Sequence, residues 1–290
     1  MRPDRLAPYG RVMDDATTTE PDGPTDRAHE RFEIDTSTAE TYEQRFVPAI
    51  FATWSPRLLD AALVRAGQHV LDVACGTGIV ARTALDRVGP AGSVTGVDRN
   101  PAMLGVAGRI APDISWRQGD VADLPFDDGT FDVALCQMAM MFFSDRPAAL
   151  REMGRVTRRG GTTATLVPAS LDAQPAYRVF VDLAADLVGA EARSLLGTYW
   201  SCGDAAALTG WHDSAGLHVA SIDTAAGPAR FADPEDFVRT EVEASPLSAR
   251  IDRPTLDQLC RRTAAAMEEW RTAGGFEIPL VCHTVVAHTA

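Results

Sequence analysis

The chemically suggestive residues of this chain gather in the run Val70-Leu71-Asp72-Val73-Ala74-Cys75-Gly76-Thr77-Gly78. An apolar strand carries one acid and then breaks into Gly-Thr-Gly, which leaves bare backbone amides beside a carboxylate. Glycine lets the chain pass close to a ligand, and the helix that follows presents unpaired N–H groups at the same point. Such a place suits a ligand that is cationic at one end and polar along its length. The same residues, Gly76 to Ala81, also satisfy the GxGxxA pattern of dinucleotide sites, with Asp98 about 20 residues on as a ribose acid. The turn alone leaves both ligands open.

Three further features separate them. Asp72 stands four residues before Gly76, where most dinucleotide strands carry an apolar residue. Gly119-Asp120-Val121 closes a third strand and leads into Ala122-Asp123-Leu124-Pro125-Phe126. Phe131-Asp132-Val133-Ala134-Leu135-Cys136 opens on an acid just after Asp127-Asp128-Gly129. With Asn100-Pro101-Ala102-Met103-Leu104 after Asp98, and the run from Ala148 to Gly161, these motifs resemble, in order, those of class I S-adenosylmethionine (SAM) dependent methyltransferases. The stretch Met140-Met141-Phe142-Phe143-Ser144-Asp145-Arg146-Pro147 is most similar to the methyltransferase type 11 branch, which holds the ubiquinone and menaquinone C-methyltransferases and many natural-product enzymes.

The resemblance implies a SAM site and assigns its parts. Asp98, with Arg99 beside it, accepts from the ribose hydroxyls. Asp120 accepts from the adenine amino group, the Val121 amide donates to the ring with Ala122 following, and Met103 and Leu124 sandwich it. Ala74, Gly76, Thr77 and Gly78 approach the methionine part with Asp72 behind them, and Cys136 and Gln137 edge the same cleft. Tyr42 and Arg45 fold over the methionine end, Arg45 pairing with its carboxylate; Tyr42 and Trp54 are explained equally well as core residues of an amphipathic helix. Asp132 needs no role beyond its turn.

The elements that must hold these residues alternate strand and helix, which makes a parallel sheet covered on both faces. Strands are expected at His69 to Ala74, Ser93 to Asp98, Ile114 to Gln118, Phe131 to Cys136, Thr162 to Val167, Leu217 to Thr224 and Ile278 to His288. The expected fold is α/β, a Rossmann-like, seven-stranded, mostly parallel sheet with helices on both faces and a helical lid from two insertions. The divisions are a disordered extension over 1–36, N-terminal helices and SAM-binding core over 37–168, a lid insertion over 169–203, a core helix and sixth strand over 204–228, a second insertion over 229–276 and a closing strand over 277–290.

Composition bounds the partners. A net charge of −13 repels a phosphate backbone, which argues against nucleic acid. There is no lysine, so Schiff-base and P-loop lysine chemistry is excluded. Five scattered cysteines form no CxxC pair, which points to a reducing, cytoplasmic setting, and no apolar run is long enough to span a bilayer. A homodimer stays open.

On the acceptor side the residues say less. Displacement at a methyl carbon already activated by a sulfonium requires positioning and dryness, and a base only when the acceptor must lose a proton. Candidates are His212, read as a surface residue on the outer face of the sheet, His283 in the closing strand, Glu241 in the second insertion and Gln137 beside the cleft. The sulfur and aromatic side chains from Met138 to Phe143, with Tyr177, Phe180, Tyr199 and Trp200, imply a small apolar or aromatic substrate. No ligand spacing for a metal is present. Two alternatives remain: a protein using SAM without methyl transfer, as in a cyclase, and an NAD-dependent oxidoreductase, which would want an apolar residue at 72 and a catalytic Tyr/Lys or His/acid pair.

Overall fold

The computed structural model describes residues 35–243 and 246–289, so the expected N-terminal extension lies outside the described residues except for Asp35 and Thr36. Asp35 caps α1 (Thr36–Thr41), its carboxylate accepting from the Thr38 amide at 2.8 Å. The helix widens into π-helical turns over Tyr42–Phe51, and the amide of Ala52 still reaches back five residues to the Val47 carbonyl before α2 (Ala52–Ala61) begins. Widened turns of this kind free backbone carbonyls for other partners.

The alternating segment folds as its pattern demands. β1 (His69–Val73), β2 (Ser93–Asp98), β3 (Ser115–Gln118), β4 (Phe131–Gln137) and β5 (Thr157–Pro168) are parallel. Helices α3 (Ile79–Val88), α4 (Pro101–Ile110) and α5 (Arg146–Val156) make three of the connections. The fourth, from β3 to β4, holds no helix; α5 fastens it instead. Arg155 donates to the carbonyls of Leu124 and Phe126 and to Asp128, while Glu152 accepts from the Leu124 amide at 2.8 Å.

Beyond β5 come α6 (Pro175–Val188), α7 (Ala190–Gly197), α8 (Ala205–Ser214), β6 (Leu217–Phe231), α9 (Pro234–Glu243), α10 (Arg253–Ala266), β7 (Arg271–Thr272) and β8 (Gly275–Thr289). The sheet order is β3-β2-β1-β4-β5-β8-β6, with β8 antiparallel to both neighbours and the two-residue β7 adding an eighth strand to the seven expected. Within the second insertion α10 stops at Ala266, and the chain turns back through this short β7–β8 hairpin.

β6 and β8 also run on where Thr224 and Ile278 marked an expected end and start. Gly227-Pro228 does not break β6, because β6 is an edge strand and a proline there costs no ladder bond. The extended ribbon is held by apolar contacts: Phe237 of α9 is fully buried, with Phe180, Phe231 and Phe276 ring centroids 5.1, 5.1 and 5.7 Å away. Trp54 packs against Gly227, where a Cβ would come within 2.7 Å of the indole. The ribbon, α9 and the N-terminal helices thus stand together over the carboxyl edge of the sheet.

At the other end of the sheet, Trp116 of β3 fixes the spacing of the glycines. Its indole lies where a Cβ on Gly96 or on Gly78 would fall, 2.3 Å from its ring atoms in each case. Gly96→Ala should therefore lower stability by about 1–3 kcal/mol, read as a fall in the urea midpoint at unchanged slope. Trp116→Leu in the same chain should recover part of that loss; a double variant no better than the sum of the singles would refute the clash.

Candidate active site

Sheet order reverses between β1 and β4, the first connecting outward to β2 and the second to β5. In open α/β sheets the crevice outside the carboxyl ends of such a strand pair is where ligands sit. Both strands end in strain: Ala74 has φ 55° and Met138 φ 51°, left-handed values that cost a side-chain-bearing residue of order 1–3 kcal/mol. The sequence placed Ala74 at a strand end beside the ligand and Met138 in the acceptor wall, but neither left-handed backbone was expected.

Asp72 lies within β1 and is buried, its Oδ2 accepting from the Ala81 amide in the first turn of α3 at 2.9 Å. It thus clamps the helix that follows the glycine turn. Burial pushes its carboxyl up to about 8, reinforced by the nearby charge of Asp98 and opposed by the Ala81 hydrogen bond and by Arg82. Asp98, ending β2, is also buried and pushed up by desolvation; its oxygens accept from the amides of Gly76 and Asn100, each at 2.8 Å. Neither acid has an ion-pair partner among the described residues.

Gly76 and Gly78 serve different ends. Gly76 (φ 54°) faces the Tyr42 ring, which a Cβ would meet at 3.8 Å, so the tyrosine lies against that side of the turn. Gly78 (φ 87°) instead caps α3 and makes room for Trp116. Thr77 is buried with its Oγ1 unpartnered. Gln137, at the end of β4, donates through Nε2 to the Phe51 carbonyl at 3.0 Å, and its buried Oε1 has no partner.

The remaining nucleoside-side residues stand along the edge of the crevice. Asn100 caps α4, and Met103 is buried against Ala39, Val106 and Tyr42. Arg99 is exposed, its carbonyl held by Gln118. Asp120 and Ala122 are exposed in a turn closed by the Ala122 amide on Asp120 Oδ1, with Val121 half-buried between them. Cys136 is fully buried and its thiol pushed well up by desolvation, so it packs the core rather than edging the crevice with its side chain.

Arg45, His212 and Glu241 depart from expectation, while His283 lies buried in the closing strand as its position suggested. Arg45 faces α9, bound to Glu243, to Asp236 and to Thr240, so it latches the N-terminal segment to the second insertion. His212 is buried, not on the surface: α8 presses it onto β5, where Nδ1 meets the Leu208 carbonyl at 2.8 Å and Nε2 meets Thr165 Oγ1 at 3.5 Å. Desolvation lowers its pKa and favours the neutral ring. His283 has both ring nitrogens engaged, by Thr224 at 2.8 Å and the Gly203 carbonyl at 3.2 Å. Glu241, on the helix of the second insertion, is buried and accepts from the Tyr177 hydroxyl at 3.1 Å.

Sequence reasoning missed the residues that brace the turn. Arg82 donates to the Thr77 carbonyl at 2.9 Å and to Glu43 at 2.8 Å, tying the N-terminal segment to the glycine turn. Glu152 and Arg155 do the same for the loop that carries Asp120; their opposite charges three apart on α5 were the one available signal. An open groove of about 570 Å³ at the amino ends of the strands, lined by His69, Thr95, Ser115 and Phe131 among others, contains none of the switch-point residues. Among the described residues no group of His, Cys, Asp and Glu could hold a metal ion, and no helix is long and apolar enough to cross a membrane.

Residues 70–161 match the family model described as a methyltransferase domain. The chain is 36% identical over 119 residues to a 2-phytyl-1,4-naphtoquinone methyltransferase of Synechococcus elongatus, covering 39% of this chain and 51% of that one. It is 39% identical over 123 residues to the nocamycin O-methyltransferase of Saccharothrix syringae, covering 40% and 44%. The chain thus spans about half the length of the curated relatives it matches. The structure of a SAM-dependent methyltransferase from Aquifex aeolicus superposes with a TM-score of 0.53 at 14% identity, over 89% of this chain and all of that one, a likeness of fold.

The raised pKa of Asp72 fixes a pH dependence. Its folded value lies above its unfolded value, so the native state holds a proton that the unfolded chain has lost; the stability involved is full below about pH 4 and is lost as pH rises through 8. Between about pH 6 and 8 the ligand-free protein should lose about 2 kcal/mol that Asp72→Asn does not, measured by urea midpoints of both chains. Parallel curves would show that Asp72 titrates normally.

Proposed function

Taking residues 70–161 as a class I methyltransferase core, we propose that this chain transfers the methyl group of SAM to a small, largely apolar or aromatic metabolite. One observation carries the reading: two buried acids, Asp72 and Asp98, stand without ion-pair partners among the described residues around the glycine turn at the switch point. A ligand bearing a sulfonium and an ammonium relieves that charge. NAD would bring a pyrophosphate to the same acids, which like-charge repulsion disfavours.

The other unsatisfied groups fit the same ligand. A buried polar atom without a partner costs about 1–3 kcal/mol, and Thr77 Oγ1 in the turn after β1 and Gln137 Oε1 at the end of β4 are such atoms. They match the polar methionine part. Asp98 spends two of the roughly four acceptor positions of a carboxylate on backbone amides and keeps the others for ribose hydroxyls. Asp120, the Val121 amide, Met103 and Leu124 are proposed to hold the adenine, with Arg99 and Ala122 alongside.

SAM supplies, when bound, a methyl carbon already activated towards displacement. The chain's own work is to orient and to exclude water. Tyr42 roofs Gly76, stacked on Phe46 at 5.8 Å and tilted on Phe51 at 5.2 Å, and Arg45 holds that roof to α9. Met138, Met140, Met141 and Phe143 are buried just past β4, an adaptable apolar wall for the acceptor. The quinone and antibiotic methyltransferases it is similar to support an acceptor of this kind, by C- or O-methylation. We place the protein in the cytoplasm, consistent with five buried, unpaired cysteines, acting alone or as a homodimer and without nucleic acid.

Calorimetry should show saturable binding of SAM and S-adenosylhomocysteine and none of NAD; NAD alone binding would overturn the reading. Asp98→Ala should weaken SAM binding by about 1.5–3 kcal/mol, the worth of a charged hydrogen-bond acceptor. An unchanged affinity would remove the ribose role from that residue.

A further inference from the structure

The connection from β3 to β4 has to cross β2 and β1, since the sheet runs β3-β2-β1-β4, and it does so without a helix. One face of these strands is therefore left uncovered at their amino ends. Residues two apart along a strand share a face, and a face packed beneath a helix reads apolar. Here Ser93 and Thr95 of β2 stand beside Ser115 and Arg117 of β3, with Thr95 and Ser115 in register, while Gly96 and Trp116 face the other way. This face carries hydroxyls where a covered one would carry valines.

The crossing loop turns the face into the groove of about 570 Å³, a size that holds a small molecule. Pro125 and Phe126 form its wall, the Phe126 ring meeting the buried Phe131 edge-on at 5.1 Å. Pro125 closes it towards the carboxyl ends of the strands: it and Val97 come within 2.8 and 3.1 Å of the point a Cβ on Gly119 would occupy. At the amino end, His69 Nδ1 meets Ser93 Oγ at 2.6 Å. The switch-point crevice lies at the opposite ends of the same strands.

The lining is rich in donors, and none of its ten residues is an acid in a chain that has 40 of them. Arg117 is exposed and has no ion-pair partner among the described residues, whereas Arg109, Arg155 and Arg158 are each paired. Asp132, next to Phe131, spends its oxygens on the His69 amide at 2.7 Å and on Arg158 at 2.6 Å. Asp127 borders an adjoining hollow with Pro125 and Thr130. The net charge of −13 acts against a long polyanion laid across the surface. A single anion in the groove responds to the lining instead, because charges beyond about 10 Å are screened at about 0.1 M salt.

An unpaired guanidinium beside facing hydroxyls suits an oxyanion, and a wall of proline and phenylalanine suits a flat apolar group attached to it. We propose that this groove is a second ligand site, distinct from the crevice, and that it takes a small phosphomonoester carried on an aromatic ring. Thr95 and Ser115 lie about 4.8 Å apart across the two strands and Arg117 about 6.6 Å further along the same face, so one phosphate accepts from all three. The ring lies against Pro125 and Phe126. The inference stands apart from the methyltransferase reading, because no crevice residue takes part in it.

The test is calorimetric titration of the full chain with phenyl phosphate, and with inorganic phosphate and phenol as its two halves, at about pH 8 and about 0.1 M salt. Phenyl phosphate should bind saturably and about tenfold more tightly than either half. Arg117→Gln should weaken it about tenfold, the scale of a lost charged hydrogen bond, with an unchanged urea midpoint because the side chain is exposed. Phe126→Leu should weaken phenyl phosphate while leaving inorganic phosphate within about twofold of the parent. A saturating excess of S-adenosylhomocysteine should leave the phenyl phosphate affinity unchanged. Absence of saturable phenyl phosphate binding, equal affinity in Arg117→Gln, inorganic phosphate binding as tightly as the ester, or displacement by S-adenosylhomocysteine overturns the proposal.

Discussion

The carboxylate of Asp72, buried in a central strand and bonded to the Ala81 amide, is the constraint from which the site is built. It fixes where α3 starts relative to β1, and so the short distance the chain has in which to turn. That turn is possible only through left-handed values at Ala74, Gly76 and Gly78. The Gly76 amide then points at Asp98, linking the ends of β1 and β2. A residue unable to accept a hydrogen bond at 72 would leave the Ala81 amide orphaned and release the first turn of α3.

From this turn, order spreads outward through charged contacts. Arg82 joins the Thr77 carbonyl to Glu43, which brings the widened helical turns over the crevice, and Tyr42 settles on Gly76. The Phe51 carbonyl, which also accepts from the Ser55 hydroxyl, binds Gln137 and so ties these turns to the end of β4. Arg45 carries the connection on to α9. The roof over the crevice and α9 are therefore one connected unit.

The parallel core was legible because its signals are local: alternating apolar runs, glycine turns, and acids at fixed distances from them. Strand ends were expected to within a few residues from His69 to Gln137. What escaped were features decided by distant partners. The length of β6 depends on Phe237 and Trp54 packing on the ribbon, and Gly227-Pro228 reads locally as a stop. His212 looked exposed because its helix has a weak apolar face, while its burial is set by β5 beneath it. Arg45 was assigned to a ligand since no sequence rule could bring it to Asp236 and Glu243, nearly two hundred residues away.

A pair of buried acids without ion-pair partners among the described residues is costly in a ligand-free protein, and a sequence free to optimise stability alone would bond each to an arginine. This chain has arginines in abundance and spends them elsewhere, on exposed or half-buried pairs such as Arg158 with Asp132 and Arg239 with Asp257. The crevice keeps its negative potential, so a cationic ligand is bound partly by the relief of charge repulsion and of proton uptake at Asp72.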